Sequence, residues 1–407
     1  MLQADHGKAS MGLITGVLAL LSIFPPVATD MYLSAMDDIA LAFHASETAT
    51  ELSLSIFFLG LCVGQFIMGP LMDGFGRKPP LLAGAGLFIL SSIGLLIVDD
   101  IATFNALRFI QAIGACSGMV VGRAVVNDLH SGREAARMMT ILVMLMTLGP
   151  ILSPFLGSLL LSSLGWESIF FTMVGIGIVA FVLAAVALPE TLPPEKRSAT
   201  TLPHIARAFA SAGSQRAFLL PAIVAGLVQG GIFAFITGSS GIFQGIYGLG
   251  NVAYGLLFAF IAAALICFGR VNTRLLNRYE PRQIADAGLP VFALSALALT
   301  ISASLGNMWL LVLPLWITVG LVGLITPNVV SIAMELGHAG SGIRSALLGG
   351  LQFAIAFTVS GSVALGGTDS ALSMCLPILI ASLLALALWK FAQAGGSDLP
   401  RECPSAG

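Results

Sequence analysis

Residues 69–79 read Gly69-Pro70-Leu71-Met72-Asp73-Gly74-Phe75-Gly76-Arg77-Lys78-Pro79. An acid and two bases here interrupt a run that is otherwise almost wholly apolar. Of the 407 residues, 57% are hydrophobic and only 9% are charged; an ordinary soluble domain carries about 25% charged residues. So few charges cannot cover the surface of a soluble protein of this size. The chain reads as a polytopic membrane protein, and the stretch at 69–79 reads as a loop between two spans.

A helix needs about 20 apolar residues to cross the hydrocarbon core. Reading between polar breaks predicts twelve spans, at 11–36, 49–71, 79–98, 101–124, 137–162, 166–188, 217–239, 250–271, 283–304, 308–334, 343–366 and 370–392. The first run holds Pro25, Pro26 and Asp30 and lacks a small-residue cleavage site, which fits a retained helix better than a signal peptide. The longest polar stretch, 189–216, carries four prolines and six charges. It divides the chain into an N-terminal six-helix bundle (1–188), a cytoplasmic linker (189–216) and a C-terminal six-helix bundle with a short tail (217–407). The expected fold class is an all-α membrane protein of twelve spans in two six-helix bundles. "GRVNTRLLNRYEPRQ", beginning at Gly269, faintly echoes the loop that begins at Gly69.

The bases support that count. Of the 18 Lys and Arg, Arg108 and Arg123 lie within spans, and with twelve crossings all the others fall on one side. The opposite loops and span ends carry Asp37, Asp38, Glu47, Glu51, Asp99, Asp100, Glu167 and Asp369 but no base. The positive-inside rule then places both termini and the linker in the cytoplasm.

Charges inside the spans mark candidate chemistry. A carboxylate in hydrocarbon costs about 2.5–3.5 kcal/mol on insertion scales. Asp30, about two turns from the outer end of its span, therefore faces a cavity or a partner and has reason to trade a proton; the alternative is a helix-end residue snorkelling to the interface. Arg108 lies at a similar depth in span four, with Gln111 on its face at i+3; the alternative is a structural cation bonded to helix carbonyls. Arg123 and Asp128 end the same span as cavity-facing or interface residues. Gly114, Gly118 and Gly122 form a small-residue stripe for close helix approach. Tyr32, two residues from Asp30, Gln352, whose amide needs a partner, and Phe353 are candidates for substrate contact. Phe24, Phe57, Phe58, Phe233, Phe235 and Phe357 are further candidates to line an apolar cavity. The cysteines Cys62, Cys116, Cys267, Cys375 and Cys403 form no CxxC pair and read as packing residues. His6, His44, His130, His204 and His338 sit in loops or at helix ends. Without an intramembrane HxxxH, a carboxylate pair or a Walker loop, the sequence argues against an embedded protease, an acyltransferase or an ATP-driven pump. It implies no cofactor, no metal and no nucleic-acid partner.

The loop at 69–79 resembles the cytoplasmic signature of the major facilitator superfamily, G-x-L-x-D-R-x-G-R-[RK]. Gly69, Leu71, Asp73, Gly76, Arg77 and Lys78 match, while Gly74 stands where a base is usual. "ATDMYLSAM" (28–36), "LRFIQAIGACSG" (107–118), "GPILSPFLG" (149–157) and "GWESIFF" (165–171) are similar to the drug/proton antiporters of that superfamily. "PNVVSIAMELGHAGSGIRSALLGGLQF" (327–353) resembles its bicyclomycin- and chloramphenicol-resistance branch in particular. Glu167 and Arg344 depart from the pattern. The resemblance implies proton coupling at Asp30 and Arg108, and substrate contact near the same two residues. It implies that Asp73 meets the N-terminus of span eleven as a conformational latch, helped by Gly76 and Arg77. It also implies a gating surface at Gly149, Pro150, Pro154 and Gly157. The expected function is proton-driven export of a small, moderately apolar compound by a monomer in a bacterial cytoplasmic membrane. The alternatives are a metabolite exporter or importer on the same fold, for an amino acid or a sugar, and a sensor or scaffold without flux.

Overall fold

The computed structural model describes residues 8–129, 149, 152–197, 210–211, 213–335, 341–367 and 370–394. Every regular element among the described residues is helical. The first half runs α1 (Lys8–Ser22), α2 (Phe24–Asp30), a 3-10 turn (Tyr32–Ala35), α3 (Met36–Ala42), α4 (Glu47–Phe75), α5 (Lys78–Gly94), α6 (Ile101–Leu129), α7 (Leu152–Leu164) and α8 (Glu167–Ala187). The second half runs α9 (Arg216–Ser240), a π-helical turn (Gly241–Ile246), α10 (Asn251–Leu275), α11 (Pro281–Ser304), α12 (Met308–Glu335), α13 (Ser341–Leu365) and α14 (Leu372–Ala394). Among the described residues, ten helical segments are long and apolar enough to cross a membrane. The shorter apolar helices α5 and α7 stand where the third and fifth spans were expected. Residues 130–148 lie outside the described residues, so twelve crossings remain an expectation.

Several boundaries differ from the sequence reading. The stretch 69–79, expected as a loop, is mostly helical: α4 runs through Pro70 to Phe75 and α5 starts at Lys78, which leaves only Gly76 and Arg77 between them. The first span was expected to end at residue 36, yet its helical segment continues to Ala42. Pro25 and Pro26 remove two backbone donors and break the helix at Ile23, and the 3-10 turn tightens it again after Asp30. Both features bend the segment without ending it. Asp37 and Asp38 therefore ride on α3 rather than in a loop, and Asp30 lies about three turns, not two, from the end of the span. Likewise α9 does not stop at residue 239 but winds on through the π-helical turn. Its Gly-Ile-Phe-Gln-Gly sequence carries no charge to halt it.

The helices assemble into two bundles. In the first, α4 and α5 pack on α6, and α8 packs on α5. In the second, α9 contacts α12, α13 and α14, while α12 also lies against α10 and α11. Glycines let backbones approach. A Cβ at Gly60 would lie 2.5 Å from the Phe109 carbonyl oxygen, and one at Gly114 would lie 2.6 Å from the Gly84 oxygen. The stripe in α6 serves two neighbours: Gly114 abuts α5, and Gly118 abuts the Leu21 carbonyl of α1. Large apolar side chains face outward, Ile97 and Leu313 among them. That outer surface suits lipid and not water. Cys62, Cys116 and Cys375 are buried, as packing residues should be, but Cys267 lies on the outer surface.

The bundles meet along α4 and α13, which run antiparallel. Ser55 bonds to Ser360 at 2.7 Å near one end. Further along, Gly349 adjoins the Gln65 amide, Gly350 adjoins the Phe66 ring, and Gly69 lies opposite Ala346. We call the end that carries residues 69–79 the inner end and the opposite one the outer end.

Candidate functional site

Arg108 projects from α6 into the first bundle and is fully buried. Its Nη1 donates to Gln111 Oε1 at 2.6 Å. Its Cζ lies 4.6 Å from the Tyr32 ring centroid and 4.5 Å from that of Phe57, so the guanidinium is stacked between two aromatic faces. Such contacts are worth up to about 2 kcal/mol each when desolvated. Gln111 is held in turn, its Nε2 donating to Ser92 Oγ at 2.8 Å. Tyr32 is fixed by a 2.8 Å bond between its hydroxyl and Ser53 Oγ, and by ring contacts with Phe104 and Phe170. Nε and Nη2 of Arg108 have no partner among the described residues. A buried cation with unused donors is expensive unless something comes to meet them.

Asp30 is 1% exposed and closes α2. Its Oδ1 accepts from Thr29 Oγ1 at 2.9 Å, and the same hydroxyl bonds the Pro25 carbonyl. It forms no ion pair with Arg108 within 4.0 Å. The structure thus brings Tyr32, Arg108 and Gln111 into one cluster and leaves Asp30 out of it, with a separate partner.

Gln352 and Phe353 belong to a second cluster, on α13 where the bundles meet. The rings of Phe58, Phe233 and Phe353 form a ladder from α4 through α9 to α13, with centroids 4.6 and 6.0 Å apart. Gln352 is half-buried, with its Cα close to Gly226 of α9. Phe24 and Phe235 are spent on packing: Phe24 stacks on Phe88 at 4.5 Å and Phe235 on Phe258 at 4.7 Å, each inside one bundle.

The expected gating surface lies between α2, α7 and α10. A Cβ at Gly149 would lie 2.6 Å from Pro26 Cβ, and one at Gly157 would overlap the Met31 carbonyl. Ser34 Oγ bonds Ser158 Oγ at 2.7 Å and donates to the Pro154 carbonyl at 3.2 Å. From the second bundle, Gly255 of α10 comes against the same Pro154–Ser158 turn. Pro150 lies outside the described residues, as does the side chain of Arg123.

At the inner end, Arg77 gathers the signature loop. Its Nη1 donates to Asp73 Oδ1 at 2.7 Å and its Nε to Asp128 Oδ2 at 2.9 Å. Burial works against the charge, but the two carboxylates outweigh it and hold the guanidinium above its ordinary pKa. Gly76 adopts φ +95°, a left-handed conformation that a side chain resists. A Cβ there would also lie 2.5 Å from Glu190 Oε2. Glu190, which sequence reasoning passed over, accepts from the backbone N–H of Arg77 at 2.8 Å and of Lys78 at 3.1 Å, capping α5. Burial alone would raise its pKa; the N–H groups of Arg77, Leu192 and Lys78 and the Arg197 charge prevail and hold it below the usual carboxylate range. Its signal was the acid of "PETL" directly after an apolar run. Asp73 is half-exposed, and the α4/α13 register sets it level with the first turn of α13. Arg344, the departure noted in that helix, is buried and donates to the Met334 carbonyl at 2.9 Å, closing the C-terminal turn of α12.

Sequence comparison agrees with this architecture. The profile of the Major Facilitator Superfamily matches residues 18–356. The chain belongs to this superfamily. It is 32% identical to an "Uncharacterized MFS-type transporter YdgK" of Bacillus subtilis, with 91% of this chain and 92% of the relative covered. It is 29% identical to a "Bicyclomycin resistance protein homolog" of Haemophilus influenzae, covering 88% and 90%. It is 28% identical to "Multidrug resistance protein MdtL" of Escherichia coli, covering 69% and 70%. A solved D-xylose-proton symporter superposes with a TM-score of 0.77 at 15% identity, covering 96% of this chain and 98% of that one, a likeness of fold alone. The superfamily is one of secondary transporters, so this protein is a transporter of small molecules across a lipid bilayer and not an enzyme. The resemblance to the bicyclomycin-resistance branch holds.

Proposed function

We propose that this transporter is a proton-coupled exporter of small, moderately apolar compounds, antimicrobial drugs among them, working by alternating access. Arg108 carries the reading: a wholly buried guanidinium, one arm fastened and two nitrogens unpartnered, in the same bundle as a buried acid. A scaffold without flux has no use for a buried charge of each sign. The names of the resistance relatives favour drugs over nutrients as cargo.

In the outward-facing state Asp30 takes up a proton and substrate leaves. In the inward-facing state the proton departs, Arg108 stabilises the carboxylate, and a new substrate binds near both. Tyr32 and Gln111 hold Arg108 in place, and Gln352 and Phe353 supply an amide and an apolar wall where the bundles meet. Only the difference in affinity between the two states drives the cycle. Asp73, with Gly76 and Arg77, latches the inner end onto the dipole at the N-terminus of α13. Gly149, Pro150, Pro154 and Gly157 give the surface on which the bundles rock. The bundles span 1–188 and 217–407 around a cytoplasmic linker at 189–216, with twelve crossings and both termini inside a bacterial inner membrane. The protein works as a monomer.

Expression in a drug-sensitive bacterial strain, screened across antibiotic classes, tests this reading. The wild type raises resistance to at least one apolar drug, and Asp30→Asn at equal membrane abundance does not. No protection against any class, or full protection by the variant, refutes it.

A further inference from the structure

The mechanism above makes no use of the bases at the inner end of α10. Asn272 marks the inward face of that helix: it is buried and accepts from Asn328 Nδ2 of α12 at 2.7 Å. At 3.6 residues per turn, Arg270 and Arg274 lie on the opposite side. Backbone bonds from Leu276, Asn277, Arg278 and Tyr279 to carbonyls three or four residues back carry the winding past Leu275, so Arg278 falls over the same face. All three arginines are exposed. None of them is ion-paired within 4.0 Å among the described residues. The acid of the same turn, Glu280, is engaged in capping α11, where it accepts from the Gln283 backbone N–H.

The rest of that face shows what lies alongside. Toward the outer end it continues as Val252, Leu256, Phe260 and Cys267, all exposed and none charged. From residue 252 to 267 this apolar strip runs about 22 Å at 1.5 Å per residue. A face that is apolar over most of a hydrocarbon core about 30 Å thick, and basic directly beyond it, is turned to lipid and meets headgroups at the arginines. Topology alone asks for bases at this end but not for their gathering on one face. Three guanidinium groups on successive turns offer one phosphate several charge-assisted donors. A soluble phosphate or a nucleic acid would engage the bases but gain nothing from the apolar strip. Trp316 of α12 stands beside that strip: it stacks on Phe260 at 6.1 Å, meets Phe268 edge-on at 5.6 Å and donates from Nε1 to the Phe260 carbonyl at 3.2 Å.

We propose that the face formed by Arg270, Arg274 and Arg278 is a binding site for an anionic phospholipid of the inner leaflet. Its phosphate sits on the guanidinium groups and its acyl chains lie along the apolar strip of α10. The inference goes beyond the export reading and needs neither a drug nor a coupled proton.

Fluorescence of Trp316 tests the site. The full chain carrying Trp166→Phe and Trp309→Phe, which leaves Trp316 and the fully buried Trp389, is reconstituted in mixtures of phosphatidylcholine and phosphatidylglycerol. One of the two lipids at a time carries bromine at mid-chain, where it quenches an indole on contact. Brominated phosphatidylglycerol is expected to be preferred at Trp316 by about fivefold or more, the worth of one basic residue near anionic lipid. High salt lowers the preference. Replacing Arg270, Arg274 and Arg278 together by glutamine brings it close to unity, while Lys390→Gln, at an exposed base elsewhere on the inner end, leaves it unchanged. Equal quenching by the two lipids, or an undiminished preference in the triple variant, overturns the proposal. An equal loss in Lys390→Gln overturns it as well, since net charge would then suffice. A preference abolished by inorganic phosphate at the concentration of the lipid assigns the face to a free anion and also overturns it. Should the triple variant fail to insert, an unchanged preference in Arg274→Gln counts equally against the site. A lipid preference in a protein that exports no drug sinks the export reading and leaves this site standing.

Discussion

Replacing Gln111 by methionine isolates the support of Arg108. The two side chains are close in volume, so the substitution opens little cavity and removes only polar contacts. Ser92 loses the bond from Gln111 but still donates to the Phe88 carbonyl at 2.6 Å. The loss therefore falls on Arg108, whose 2.6 Å bond to Gln111 is its one hydrogen bond among the described residues. A hydrogen bond to a charged group is worth about 1.5–3 kcal/mol. If the N-terminal bundle melts as one unit of soluble-domain size, that amounts to a drop of roughly 3–12 °C in Tm. The stacking of Arg108 between Tyr32 and Phe57 survives, so the protein still folds. Thermal unfolding in detergent, followed by the fraction remaining monodisperse after heating, measures the drop. Gln111→Glu is the companion variant. It gives Arg108 a fixed counter-charge, which should restore or raise Tm while slowing transport, because the guanidinium is no longer free for Asp30 or substrate. A Gln111→Met variant that melts with the wild type, or a Gln111→Glu variant that transports at the wild-type rate, refutes the assignment of Arg108.

Other expectations follow from the same contacts. Gly157→Ala forces a methyl group into the Met31 carbonyl, a backbone atom that cannot rotate away; a loss of about 1–3 kcal/mol is expected, read as a lower Tm with transport reduced at matched expression. Glu190→Gln weakens the cap on α5. Because Glu190 is held below the usual carboxylate range, its contribution is present at neutral pH and disappears as acid protonates it. The variant should therefore trail the wild type at pH 7, by under about 1 kcal/mol for so exposed a group, and match it in Tm below the carboxylate range. Asp73→Asn should leave Tm nearly unchanged and populate the inner-open state, seen as faster labelling of a cysteine placed at Ala346, which adjoins Gly69; unchanged labelling contradicts the latch.

The architecture was legible because a membrane imposes a simple rule on composition. Apolar runs of about 20 residues announce spanning helices without knowledge of any contact. The face shared by Arg108 and Gln111 could be read for a related reason, since an i,i+3 pair on a helix is local. The partners that fix Arg108 were not legible. Tyr32 and Phe57 come from other spans, and nothing in their own neighbourhoods aims them at a guanidinium. The first span was misjudged at its outer end because a 3-10 turn after Asp30 bends a helix that polar residues seemed to finish. Glu51 was grouped with outer acids by position alone, yet it is 5% exposed. Its burial depends on α9 winding on past Ser240 to cover it, a tertiary event with no trace in the sequence around Glu51.

The proton link at Asp30 remains the test that matters above the others. Reconstituted into vesicles with a drug identified by the resistance screen, the wild type should concentrate that drug against its gradient when a pH difference is imposed, and lose the ability when a protonophore collapses it. Asp30→Asn should still exchange labelled for unlabelled drug at equal pH, yet gain nothing from the pH difference. Uphill accumulation by Asp30→Asn at the wild-type level would contradict the account.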